Sequence, residues 1–217
     1  MSSSSRKRSG SITRMLRNAI SISPRFSSCF RSSFHETLLL EISPVIDAID
    51  HALKDLARWM RPQYRGIDRR LFFGARNRVI PQPLGVVGVI VPWNFPVNLS
   101  LMPLVYIFAA GNRAMVKMSE NSRALPRLLV DRIPAYFPPE KLAFFDETGD
   151  VGIAFSRLPF DHLLFTGSGQ TGRAVMAAAA RNLCPVTLEL GGKAPAIVCR
   201  LPTAQSRGTH PVRQTAQ

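Results

Sequence analysis

Hydrophobic positions follow two different rhythms along this chain. In HETLLLEISPVIDAIDHALKDLARWM, between His35 and Met60, the residues Leu39, Ile42, Ile46, Ile49, Leu53, Leu56 and Met60 recur every three or four positions. That spacing predicts one apolar face of a helix, interrupted or restarted near Pro44. RPQYRGIDRRLFFGARNRVIPQPLG follows as a basic, irregular connector with strand-like pieces. From Leu84 to Leu190 the pattern changes to short β-rich apolar runs separated by helical stretches. VVGVIVPW, RAMVKM, LAFFDET, HLLFTG and VTLEL read as five strands. Between them, LSLMPLVYIFAAG, RALPRLLVDRIPAYF, VGIAFSRL and TGRAVMAAAARN read as helices, the first closed by Gly111 and the second by Pro138–Pro139.

Strands alternating with helices at this spacing predict an α/β fold. It is a Rossmann-like parallel sheet of about five strands with helices on both faces, preceded by an N-terminal helical segment. Open parallel sheets bind ligands beyond the carboxyl ends of their strands. Four polar or glycine-rich motifs fall at those positions: PWNFP, KMSE, TGSGQTG and GGK.

Charge refines the domain limits. The chain of 217 residues carries a net charge of +14, but seven basic and no acidic residues lie before Glu36. Three more basic residues and no acid follow Cys199, leaving a core only four charges from neutrality. Residues 1–33 and 199–217 are therefore expected to be basic, disordered tails around a domain at 34–198. The tails allow nucleic-acid or membrane contact through counterion release, or an import signal. Solvated tails are the plainer reading, and a nucleic-acid function ranks last. No uninterrupted apolar run reaches the roughly 18 residues of a membrane span. Cys29, Cys184 and Cys199 form no CxxC pair and the four histidines are scattered, so neither a metal site nor a disulfide framework is expected. Reduced thiols point to the cytoplasm.

Each motif has a plain reading beside a chemical one. In TGSGQTG, Gly167, Ser168, Gly169 and Gly172 sit where a strand turns into a helix. Such a loop can cradle a pyrophosphate on free N–H groups, or simply make a tight turn, and spacing alone does not choose. Lys117, Ser119 and Glu120 fall at the end of the second strand, where a carboxylate can hold ribose hydroxyls or merely begin a helix as a surface pair. Asn94, beside Trp93 and bracketed by prolines, can donate to a developing oxyanion or bond its own turn. Glu189 in LELGGKAP stands among apolar residues, followed at once by two glycines and a lysine, a carboxylate without an obvious partner.

PWNFP, GNRAMVKMSE, FTGSGQTGRAV and LELGGKAP, in this order, resemble the NAD(P)-binding half of the aldehyde dehydrogenase family. The resemblance runs from about Phe34 to Val198. The helix before Met60 and the run PFDHLLFTGS are most similar to the coniferyl aldehyde dehydrogenase branch. It implies NAD-dependent oxidation of an aromatic, coniferyl-type aldehyde to the acid. Glu189 would be the general base and Asn94 the oxyanion amide. Trp93, Lys117, Ser119, Glu120, Gly167, Ser168 and Gly172 would contact the cofactor. Glu120 would repel a 2′-phosphate, favouring NAD while leaving NADP open. Met118 stands where the family places proline, a change expected to loosen the turn.

The resemblance also implies a cysteine nucleophile in a Gly-Gln-x-Cys setting beyond the glutamate. The sequence holds no such motif, and Cys184, in NLCPVT, reads as a small buried residue. The change of character at Val198 suggests a truncated or frameshifted copy, without the elements through which the family forms homodimers. Two enzymological readings follow: a family member inactive in isolation, or a non-catalytic dinucleotide-binding fragment.

Overall fold

The computed structural model describes residues 34–122, 124–145 and 151–193. Both basic tails, with Cys29 and Cys199, lie outside the described residues, as does the DET end of the expected third strand. The chain opens with a helical turn at Phe34–Glu36 and a π-helical segment, Thr37–Ile42, which runs directly into α1, Ser43–Trp59. Strands β1, Gln63–Arg65, and β2, Asn77–Val79, pair antiparallel as an exposed hairpin. Then come β3, Val86–Ile90; α2, Pro96–Ala109; β4, Arg113–Lys117; α3, Ala124–Arg132; and β5, Leu142–Phe145. The last elements are α4, Val151–Ser156; β6, His162–Gly167; α5, Gly169–Ala180; and β7, Val186–Leu190.

The five strands from β3 to β7 form one parallel sheet in the order β5-β4-β3-β6-β7. Alternation along each strand gives the sheet two dry faces. Val87 and Val89 of β3, Ala114 and Val116 of β4, and Leu142 and Phe144 of β5 pack with α1, α2 and α3. Ile90, Leu163 and Phe165 point the other way, onto Phe155 of α4, Phe160, and Val175 and Ala179 of α5. Gly88 allows this second face to close, because a Cβ there would lie 2.7 Å from the Phe160 ring and 2.8 Å from Leu163.

The first helix departs from the expected face. Its buried residues are Glu41, Ile42, Val45, Ala48, Ile49 and Ala52, whereas Leu39, Leu53 and Met60 are exposed. A π segment precedes α1, and in it the Ser43 N–H donates to the Leu38 carbonyl five residues back. Each π turn inserts an extra residue, which takes Leu39 out of phase with the buried Ile42 and Ile49, while beyond it the covered side of α1 is the one that carries Val45, Ala48 and Ala52. Pro44 explains the position of the π segment: it has no N–H for the Leu40 carbonyl, which accepts instead from Asn98 Nδ2 at 3.0 Å.

The amino edge of the sheet is locked by side chains. Asp161 Oδ2 accepts from the Val86 N–H at 2.7 Å, and Asn112 Oδ1 from the Gly85 N–H at 3.0 Å. Gly111 has a φ of 85°, which explains the glycine that closes α2.

Candidate active site at the carboxyl edge of the sheet

The strand order places four motifs side by side with no strand between them. KMSE leaves β4, PWNFP leaves β3, TGS leaves β6, and the glutamate of LELGG lies on β7. Because β3 is central and the chain crosses from one side of it to the other, the gap between β3 and β6 is the topological switch point.

At β6 the loop is built as a helix start. Ser168 is the N-cap of α5, with its Oγ accepting from the Thr171 N–H at 3.2 Å. Helix geometry leaves the N–H groups of Gly169 and Gln170 without intrahelical acceptors. The glycines divide the work. A Cβ on Gly172 would come within 2.9 Å of Leu190, and one on Gly167 within 2.7 Å of the Phe165 ring. Gly172 therefore lets α5 pack on β7, and Gly167 leaves room for the Phe165 ring of its own strand. Gly169 has nothing within 4 Å of its would-be Cβ, so packing does not account for it.

At β4, Lys117 is buried and its Nζ lies 3.7 Å from Oε2 of the exposed Glu120. Ser119 is buried, and its Oγ accepts from the Asn121 N–H at 3.3 Å. The expected loosening at Met118 is not found. Its N–H donates to the Phe145 carbonyl at 3.0 Å, a bond proline could not make, and its side chain is fully buried.

Trp93 and Asn94 are both exposed. Among the described residues no hydrogen-bond partner of the Asn94 side chain is found, so the self-bonded turn is not what the structure adopts. Glu189 pairs in register with Thr166, one residue before the Gly167–Ser168 turn. Its apolar sequence neighbours do not enclose it. β7 is an edge strand, and Glu189 is exposed on it.

Cys184 is buried, as the sequence suggests, and burial, with the Asp161 charge adding, pushes its thiol pKa up. It precedes β7, about 16 Å of strand from Glu189 at 3.3 Å per residue. No cluster of metal-binding side chains occurs among the described residues. None of their helices is long and apolar enough to cross a membrane.

One residue at this edge escapes sequence reasoning. Glu41 is buried, and its Oε2 accepts from the N–H groups of Val97 and Asn98, both at 2.9 Å. Burial pushes its pKa up, against the two backbone hydrogen bonds, which lower it. The signal was a single acid beside Ile42 on an otherwise apolar stripe.

A doubly covered parallel sheet with these four motifs on one edge defines a dinucleotide-binding class of fold. A sequence profile of the aldehyde dehydrogenase family matches residues 30–202, and the chain belongs to that family. It is 55% identical over 166 residues to a "probable coniferyl aldehyde dehydrogenase" of Pseudomonas aeruginosa, covering 76% of this chain and 35% of the relative. A coniferyl aldehyde dehydrogenase of a Pseudomonas species is 45% identical over 190 residues, with coverage of 87% and 39%. The chain thus spans little more than a third of these relatives. Among solved structures, the substrate-bound Staphylococcus aureus AldH superposes with a TM-score of 0.81 at 29% identity, over 87% of this chain and 41% of that one. PnpE in complex with nicotinamide adenine dinucleotide superposes with a TM-score of 0.74 at 25% identity, over 86% and 39%.

Proposed function

We propose that this chain is the NAD-binding and general-base portion of an aldehyde dehydrogenase acting on aromatic, coniferyl-type aldehydes. The observation that supports it most is the alignment of KMSE, PWNFP, TGS and Glu189 along one sheet edge, across the switch point. The residues fit a dinucleotide. The α5 N-terminus offers N–H groups beside Ser168 and an unobstructed Gly169 for a pyrophosphate. Lys117 and Glu120 suit the adenosine ribose, with Ser119 shaping their turn, and Trp93 lies beside the same cleft edge. Gly167 and Gly172 let the backbone come close. Glu120 disfavours a 2′-phosphate, so NAD is preferred to NADP.

When bound, NAD supplies a hydride acceptor. The chain's own residues prepare the other half of the chemistry. The exposed Asn94 amide is available to donate to an oxygen that gains negative charge. Glu189, as a carboxylate, is available to take a proton from a thiol or a water.

For the chain by itself, the burial of Cys184 away from Glu189 favours binding without turnover. Titration calorimetry with NAD and NADP tests both readings. Saturable binding with NAD tighter, and no NADH formed with a benzaldehyde-type substrate, is the expected result. Absence of saturable binding by the folded protein refutes the nucleotide assignment. NADH formation refutes the claim of idleness.

A further inference from the structure

The loop that carries Trp93 and Asn94 lies between two anchors. Upstream, the Val91 N–H donates to the Lys117 carbonyl at 3.0 Å, which ties the loop to β4. Downstream it enters α2, whose N-cap residue is Phe95, a side chain that cannot accept a hydrogen bond. Pro96 at the first helical position has no N–H to satisfy, but the next two N–H groups, of Val97 and Asn98, do need acceptors. A serine or aspartate at the cap would ordinarily serve. Here both donate to a single oxygen, Glu41 Oε2, which belongs to a helical segment more than fifty residues earlier. Asn98 completes the clasp by donating from Nδ2 to the Leu40 carbonyl that Pro44 leaves without a partner. Three hydrogen bonds thus hold the first turn of α2 on the π-helical segment, and Glu41 makes two of them.

A buried carboxylate is a costly way to cap a helix, since a local side chain would do so without desolvation. What this arrangement adds is location: it fixes where α2 begins relative to α1, two residues after Asn94. We propose that Glu41 is a positioning residue that sets the Trp93–Asn94 loop at the carboxyl edge of the sheet. The proposal rests on the reading of Asn94 as a substrate-facing amide. It goes beyond that reading by assigning a determinant outside the four motifs.

The experiment uses the full chain, isotopically labelled, and follows the Asn94 side-chain amide and Trp93 indole resonances together with NAD affinity. Glu41→Ala is expected to shift or broaden both resonances and to weaken NAD binding about tenfold, a little over the worth of a typical cap. Glu41→Gln keeps an acceptor oxygen and is expected to restore the resonances and most of the affinity. A merely structural role would lower thermal stability while leaving the Asn94 and Trp93 signals in place, and that result in folded Glu41→Ala overturns the proposal. Should Glu41→Ala not fold, Glu41→Asp retracts the carboxylate by one methylene. Displaced loop resonances then support the proposal and unchanged ones overturn it. Wild-type protein that fails to bind NAD would refute the nucleotide assignment alone, because the loop resonances still decide the role of Glu41.

Discussion

Leu183 adopts a φ of 53° and is 90% exposed, in the turn three residues beyond the end of α5. Glycine is the usual occupant of such a left-handed turn position because a Cβ costs about 1 kcal/mol or more there. Leu183→Gly should therefore raise stability by about 0.5–1 kcal/mol, or about 2 °C in Tm by calorimetry. Glu41 makes a different residue-scale prediction. Because its pKa is raised in the folded protein, the folded state holds a proton that the unfolded state has released once the pH passes 4.5. The stability linked to that proton is fully present below this pH and is lost as the pH rises through the raised value. Denaturant midpoints of wild type minus Glu41→Gln should accordingly fall with pH above 4.5 and then level off.

At the scale of elements, glycine positions separate packing from binding. Gly88→Ala would drive a methyl into Phe160 and Leu163 beneath a buried strand and should cost about 1–3 kcal/mol in urea unfolding. Gly169→Ala meets open space at the first position of α5 and should leave stability within about 0.5 kcal/mol. If the loop cradles a pyrophosphate, Gly169→Ala will instead weaken NAD binding in calorimetry. The contrast also shows what the sequence could reveal. Period-two and helical patterns located β3 to β7 and α2 to α5, because each element's apolar face is covered by its neighbours. The same patterns misplaced part of the α1 face, since the buried side includes the small Ala48 and Ala52, which larger apolar residues outweigh in a periodicity reading. Nor did they show that Glu189 is exposed, because flanking apolar residues do not tell whether a strand is central or at an edge. Glu41 stayed hidden because its partners are backbone N–H groups more than fifty residues away. Strand alternation could place the motifs on one edge, but not the clasp that holds one of them.

At the scale of the molecule, the β1–β2 hairpin is the strand pair least supported by packing among the described residues. Tyr64, Leu71, Phe72, Phe73, Val79 and Ile80 are all exposed, Phe73 at 97%. An apolar surface of this kind invites association. The Phe72→Ser, Phe73→Ser double variant should reduce concentration-dependent association in sedimentation velocity while leaving Tm nearly unchanged. The two-faced sheet has a consequence in time as well as in space. The buried residues of the first face run from Val45 to Phe144, so that core can close while the later chain is still emerging from the ribosome. The second face takes Phe155, Phe160, Val175, Ala179 and Cys184, and it needs β6 to return to β3, about 75 residues upstream. Synthesis thus runs in two acts: a three-stranded half that can cohere early, and a second half that docks on it and completes the switch-point cleft only at the end.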